Sequence, residues 1–322
     1  MKKSIIKVLV FFGIVGAVAL MLSNFLDAQM KQLKYEDAAV WNEITNGGID
    51  ADILIMGSSR AATHIDPNAI AQLSGASCYN LGMMGHNFFI EDARYNYYLK
   101  FNKEPKMIIL SLDYESLQRR SDLFNHAQFL AYLDDSVIAG VTRQYEGFSN
   151  YDYKLPLLKY VGEQTLIFTL FKNYFKPKYN RPDRIKGFFA RDFRWSKEVD
   201  ITLDTLKPYT VVPDSLSVKA FESFLEQCNR KGIQVVFVHT PVHPLGQAKV
   251  INSGQIIDMY YNFAKSNKYE LLDYAEDTMC SNKEYFMNST HLNKYGAEVF
   301  TKKLVEDLTL RNLLPANDIE KK

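Results

Sequence analysis

Cysteine is scarce in this chain of 322 residues: Cys78, Cys228 and Cys280 stand far apart, with no C-x-x-C pair and no histidine at zinc-ligand spacing beside them. This excludes a disulfide framework and a structural zinc site, and the odd number leaves at least one thiol unpaired. Glycine (16) and proline (10) are few, which excludes collagen-like and low-complexity chains. Neither sign of charge prevails, with 38 Lys and Arg against 37 Asp and Glu, and no cationic run tracks a helix face. Nucleic acid is therefore not an expected partner. Aromatic residues, by contrast, are plentiful at 13%. The length suffices for one large α/β domain or two small ones, with a sizeable core.

There is one long apolar run. Lys2, Lys3 and Lys7 precede an uncharged stretch over residues 8–22 that continues through Ser23 and Asn24 to Phe25 and Leu26. Counted from Ser4, with Lys7 snorkelling toward headgroups, it reaches the roughly 20 residues that cross a bilayer. The basic residues lie on its N-terminal side, so the positive-inside rule places the remainder outside the cytoplasm. The alternative is a cleaved signal peptide. Residues 23–28 show no A-x-A pattern and no cysteine follows to make a lipoprotein, so a retained signal anchor is expected. The expected division is thus a Lys-rich tip and transmembrane anchor over 1–28 and an exported domain over 29–322. The exported part carries a net charge of −1, and anionic lipid will not attract it.

Past a helix expected near residues 35–45, short apolar strands alternate with helices. Strands are predicted at 52–56, 76–81, 107–112, 233–238 and 269–273, each apolar and bounded by polar or turn residues, as in buried parallel strands. Helices are predicted at 67–73, 87–101, 215–231, 250–267 and 294–310. Between 114 and 214 the rhythm is lost in a stretch dense in Phe, Tyr, Arg and Lys and broken by Pro156, Pro177, Pro182, Pro208 and Pro213. So long a structureless loop would be anomalous, and a mostly helical insertion over one end of the sheet is expected. The fold class is α/β: a three-layer open parallel sheet of about five strands, flavodoxin-like, with ligands beyond the strand C-terminal ends.

Those ends carry the chemistry. Gly57-Ser58-Ser59 follows the first strand and aims a backbone N–H and a hydroxyl into the crevice. Asn80-Leu-Gly82-Met-Met-Gly85 follows the second, and Asn288-Ser-Thr-His291 precedes the last helix. Taken singly, each is commonplace: a helix cap, a tight turn, a surface histidine. Their order along one α/β chain is informative. It resembles the SGNH (GDSL-like) hydrolase superfamily, with its serine block after the first strand, glycine block after the second, asparagine block after the third and D-x-x-H block near the C-terminus. The likeness covers most of the exported chain outside 114–214 and is nearest to membrane-anchored bacterial members linked to acylation or deacylation of cell-surface polymers.

That resemblance implies Ser59 as nucleophile, His291 as base, and the N–H groups of Ser59 and Gly85 as the oxyanion site. It implies no cofactor and no metal. The implied partners are the membrane, a glycan or acylated envelope polymer, and a multipass acyl-donor protein. There are two departures from the pattern. Asn288 stands where the family has aspartate, and can orient an imidazole without supplying charge. Asp113 follows the third strand where the asparagine block is expected, and an ionised carboxylate is acceptor-only. Arg60, His86 or Asn87 are alternatives for the missing donor, and Asp273 for the missing acid. His239 and His243 flank prolines past the fourth strand. His239 is expected as a substrate contact rather than a metal ligand, and Arg60, His86, Asn87 and Asp113 are further candidate contacts. Asn288-Ser-Thr matches a glycosylation acceptor by chance, and Trp195 and the insertion aromatics are expected mainly in the core. Three functions fit: a membrane-tethered serine esterase or O-acyltransferase, a non-catalytic module of the same fold that binds or scaffolds surface-polysaccharide machinery, or, without the resemblance, an unrelated small-ligand site in the crevice.

Overall fold

The computed structural model describes residues 2–315. In chain order its elements are α1 (Lys2–Met30), α2 (Glu36–Asn46), β1 (Ile53–Gly57), α3 (Ser59–His64), α4 (Pro67–Ser74), β2 (Cys78–Asn80), α5 (Phe88–Tyr98), β3 (Met107–Ser111), α6 (Ser136–Thr142), α7 (Gln164–Phe175) and α8 (Lys197–Thr205). They continue with α9 (Ser215–Lys231), β4 (Gln234–His239), α10 (Pro244–Gln247), α11 (Ser253–Asn267), β5 (Glu270–Asp273) and α12 (Lys294–Leu310). The chain divides into two compact units, residues 1–45 with 121–183, and residues 46–120 with 184–322. The insertion is thus shared: residues 121–183 fold with α1 and α2, whereas 114–120 and 184–214 belong to the unit that holds the sheet.

The second unit is a five-stranded, all-parallel sheet in the order β2-β1-β3-β4-β5. This is the flavodoxin-like order, with β1 and β3 meeting at the switch point, and the fold class is the one expected from the sequence. Strands β1, β2 and β3 are buried along their whole length because helices cover both faces. Alternate residues serve alternate layers. Ile53, Ile55, Met107, Ile109, Val236, Val238 and Leu272 pack with Ala61 of α3, Ile65 that caps it, Ile70 of α4, and Phe300, Leu304 and Leu308 of α12. The opposite layer is aromatic, with Phe88 edge-on to Phe221 and Phe224, and Phe221 against Phe237 and Phe263. Gly57 closes β1 at a φ of 137°, and a Cβ there would lie 2.5 Å from the Ser111 carbonyl oxygen. Only glycine lets the chain leave the sheet so tightly and enter α3 at once.

The first unit holds α1, α2, α6 and α7. Trp41 packs between Phe129 and Tyr132 and donates to Gln128. Helix α1 is long and apolar enough to span a membrane, and its apolar side chains from Ile5 to Met21 are exposed. Its last two turns are different: Ser23, Leu26 and Met30 are buried within the unit. Asp27 there pairs with Lys159 at 2.8 Å and accepts from the Tyr160 hydroxyl at 2.6 Å.

Candidate active site

The sheet's C-terminal edge brings Ser59 and His291 together across 232 positions of sequence. Ser58 caps α3, its hydroxyl accepting from the Arg60 N–H at 3.3 Å, so Ser59 becomes the first residue of the helix. At that position the backbone N–H has no intrahelical acceptor and is available to an incoming group. The Ser59 Oγ lies 2.7 Å from His291 Nε2.

His291 owes its position to a small hairpin before α12. Phe286 and Leu292 pair as an antiparallel bridge, the Met287 N–H donates to the His291 carbonyl at 3.0 Å, and Asn293 caps α12. Asn288 sits at the tip. Its Oδ1 accepts from the backbone N–H groups of Thr290 (3.0 Å) and His291 (2.9 Å) and lies 3.1 Å from His291 Nδ1. Two backbone donors fix which end of the amide is oxygen. His291 Nδ1 is therefore the protonated nitrogen, and the Nε2 lone pair faces Ser59. Thr290 Oγ1, 3.0 Å from Nδ1, is a second neighbour. Burial is the main influence on the His291 pKa and lowers it to about 4; Asp113 pulls upward, Arg60 and Arg191 downward. The ring is thus neutral at ordinary pH.

Ser58 and Arg60, which flank Ser59, are tied inward. Asp113, past β3, accepts from the Ser58 hydroxyl and pairs with the Arg60 guanidinium, in a contact where the side chains are only 13% and 5% exposed. Arg60 also reaches the carbonyls of Leu112 (3.3 Å) and Thr240 (3.4 Å) and lies 3.4 Å from His239 Nε2. His239 in turn holds Asp273 through Nδ1 at 3.0 Å. Burial lowers the His239 pKa, against the opposing pull of Asp273, so this ring is neutral with its proton on Nδ1. A chain of contacts therefore runs Asp273–His239–Arg60–Asp113–Ser58 across the ends of β5, β4, β3 and β1.

These placements revise part of the sequence reading. His239, expected as a substrate contact, is wholly buried behind Arg60, because its ring is the link between Asp273 and the guanidinium. Asp273 serves His239 and so does not supply His291 with a carboxylate. Arg60 and Asp113 do border the crevice, but as an internal ion pair rather than as free charges. Gly85 lies in the β2–α5 loop at a φ of 68°. His86 and Asn87 beside it are buried, and the Asn87 amide donates to the Gln118 carbonyl at 2.7 Å. Asn80, in the glycine block, has a supporting role. It donates to the Ala61 and Ile65 carbonyls and accepts from Gly82 N–H, all within 2.9 Å, tying the loop to α3.

The sequence reading missed His64, the last residue of α3. It is fully buried; its Nε2 accepts from the Leu292 N–H at 2.9 Å and its Nδ1 lies 2.9 Å from Thr240 Oγ1. Burial holds its pKa well below the usual range. A neutral histidine on the helix that carries Ser59 thus grips Leu292, the residue after His291. Its position one helix length past Ser59 was the only available signal. The reading also missed Tyr114, Glu115, Tyr209, Val242, Gly246, Val250 and Thr290, which with Ser59, Arg60, Asp113 and His291 line a crevice of about 260 Å³. The Tyr209 hydroxyl donates to Glu115 at its wall.

Solved structures similar to the chain include a candidate platelet activating factor from Streptococcus pneumonia, at 13% identity and a TM-score of 0.44 over 91% of this chain and 98% of that one. A candidate acylhydrolase from Bacteroides fragilis is 10% identical with a TM-score of 0.34, over 79% and 86% of the two chains. A GDSL-like lipase from Bacteroides thetaiotaomicron is 12% identical with a TM-score of 0.34, over 79% and 87%. No family model and no curated protein matches the sequence.

Proposed function

We propose that the protein is a membrane-tethered serine esterase or O-acyltransferase of the SGNH type, acting on an acylated glycan or envelope polymer outside the cytoplasm. The observation that carries the reading is the Ser59 Oγ–His291 Nε2 contact of 2.7 Å with the Nε2 lone pair facing the hydroxyl. His291 takes the Ser59 proton as Oγ bonds to an ester carbonyl carbon, and the Ser59 and Gly85 N–H groups receive the oxyanion. As the tetrahedral intermediate collapses, the C–O bond to the leaving alcohol breaks and His291 returns the proton to that oxygen. Water or an acceptor hydroxyl then repeats the sequence on the acyl-enzyme.

The pairing of Asp113 with Arg60 and Ser58 removes one objection, since its charge is compensated rather than aimed at the oxyanion. A crevice of about 260 Å³ suits a small acyl group. The neutral Asn288 favours a second reading, a module of the same fold that binds polymer without turnover. Labelling of the full chain by a fluorophosphonate probe separates the two. Labelling abolished by Ser59→Ala supports catalysis, and a folded protein that resists the probe supports the binding module.

A further inference from the structure

We infer that the exposed face of α7 lies in the headgroup layer of the bilayer that α1 crosses, so that the first unit is seated on the membrane as well as tethered to it. The inference rests on α1 being a membrane span. Helix α1 is unbroken from Lys2 to Met30, and burial begins at Ser23, immediately after the apolar run. No flexible linker therefore separates the span from the folded unit. The Phe25 ring meets Phe171 at 5.2 Å and Tyr174 at 5.3 Å between centroids. At a rise of about 1.5 Å per residue, Phe25 lies only about 5 Å beyond Leu22, so α7 meets α1 where acyl chains give way to headgroups.

Helix α7 has a composition that suits this depth. Phe168, Phe171 and Phe175 recur at spacings of three and four, on one stripe of the helix. Leu170 and Asn173 are buried on another side, whereas Phe168 and Phe175 are 70% and 72% exposed. Phe171, between them, is the residue that touches Phe25, so the stripe is continuous with the apolar surface of α1. Lys172, Lys176 and Lys178 border it, Lys172 Nζ standing 4.2 Å from the centre of the Tyr179 ring. Phenylalanine and tyrosine fringed by lysine are the residues of membrane–water interfaces. A protein partner on this stripe would have to share its site with the lipid around the end of α1, which makes lipid the fitting occupant.

The test uses the full chain reconstituted into phosphatidylcholine–phosphatidylglycerol vesicles, with Phe175→Trp and, separately, Phe168→Trp, each compared with the parent protein. The added tryptophan emission is expected to be blue-shifted and reduced about twofold by lipids brominated in the upper acyl chain. Water-like, unquenched emission from protein that floats with the vesicles overturns the seat and leaves the anchor standing. Blue-shifted emission that the bromines do not quench, and that varies with the protein-to-lipid ratio, assigns the stripe to a second copy and also overturns it. Protein that fails to float removes the anchor, and the seat with it.

Discussion

Replacing Asn288 by aspartate restores a charge while keeping the geometry, which makes it the sharpest probe of the site. The Asn288 Oδ1 is 3.1 Å from His291 Nδ1 and is held there by two backbone N–H groups. A carboxylate oxygen would inherit those bonds, so the ring orientation and tautomer should not change. What changes is the stabilisation of the imidazolium. Opposite unit charges about 4 Å apart attract by about 4 kcal/mol at an effective dielectric near 20. The turn is partly exposed, so screening leaves about 1–3 kcal/mol. In Asn288→Asp the His291 pKa should therefore rise from about 4 toward about 6. In the proposed mechanism the free base is the active form, so the acid limb of kcat/KM should move upward with it. The kcat on the plateau should increase about 10- to 100-fold as imidazolium forms more readily in the transition state. The gain is smaller than the roughly 10⁴-fold loss seen when a serine protease triad exchanges aspartate for asparagine, where the tautomer is lost as well. The assay is steady-state hydrolysis of 4-nitrophenyl acetate by the detergent-solubilised full chain across the acid range. An unmoved acid limb, or a lower kcat in a folded variant, would refute the reasoning.

Other outcomes follow from the contacts around Ser59. Arg60→Met strands a buried carboxylate at Asp113 and should destabilise the protein by about 3–5 kcal/mol, measured by denaturant titration, whereas Arg60→Met with Asp113→Leu should recover much of that loss. His64→Leu removes the acceptor of the Leu292 N–H and should lower stability by about 1–3 kcal/mol, with kcat falling more than KM rises; His64→Gln should recover part of the stability. A variant with unaltered kcat would show that the hairpin holds His291 without this support. Stability should also fall as the pH drops below 6.5. The unfolded chain takes up protons there, while buried His64, His239 and His291, all with lowered pKa values, do not. His291 alone contributes about 2 kcal/mol of this loss by pH 5, and a melting temperature unchanged between pH 7 and pH 5 would contradict it.

The strands were legible because each is a short apolar run closed by a turn residue, and burial on both faces requires that pattern. Expected and observed bounds differ mostly at the edges, as at β2, where 76–81 was expected and Cys78–Asn80 pairs. Leu81 lies just beyond, its N–H still bonded to the Ile55 carbonyl. The last helix was read at its observed limits because Asn293 is an N-cap immediately before an apolar-periodic run. The Ser59–His291 pair was legible from motif order. The partners of Arg60, His239 and His64 were not, since a buried histidine and a surface one look alike in sequence. What separates them is which strand end lies opposite, and that depends on sheet order. The sharing of the insertion between two units was hidden for a related reason: no break in composition marks residues 121 and 184, where the chain passes between the units.

The clamping of Ser58 and Arg60 bears on how an acyl donor of the proposed reaction could be identified. Position 59 is held by its neighbours' bonds rather than by its own side chain, so a thiol there need not disturb the backbone. Ser59→Cys would place a stronger nucleophile beside a base already tuned to stay unprotonated. A thioester that lingers on that sulfur, recovered from cells and weighed by mass spectrometry, would reveal which acyl group the protein accepts.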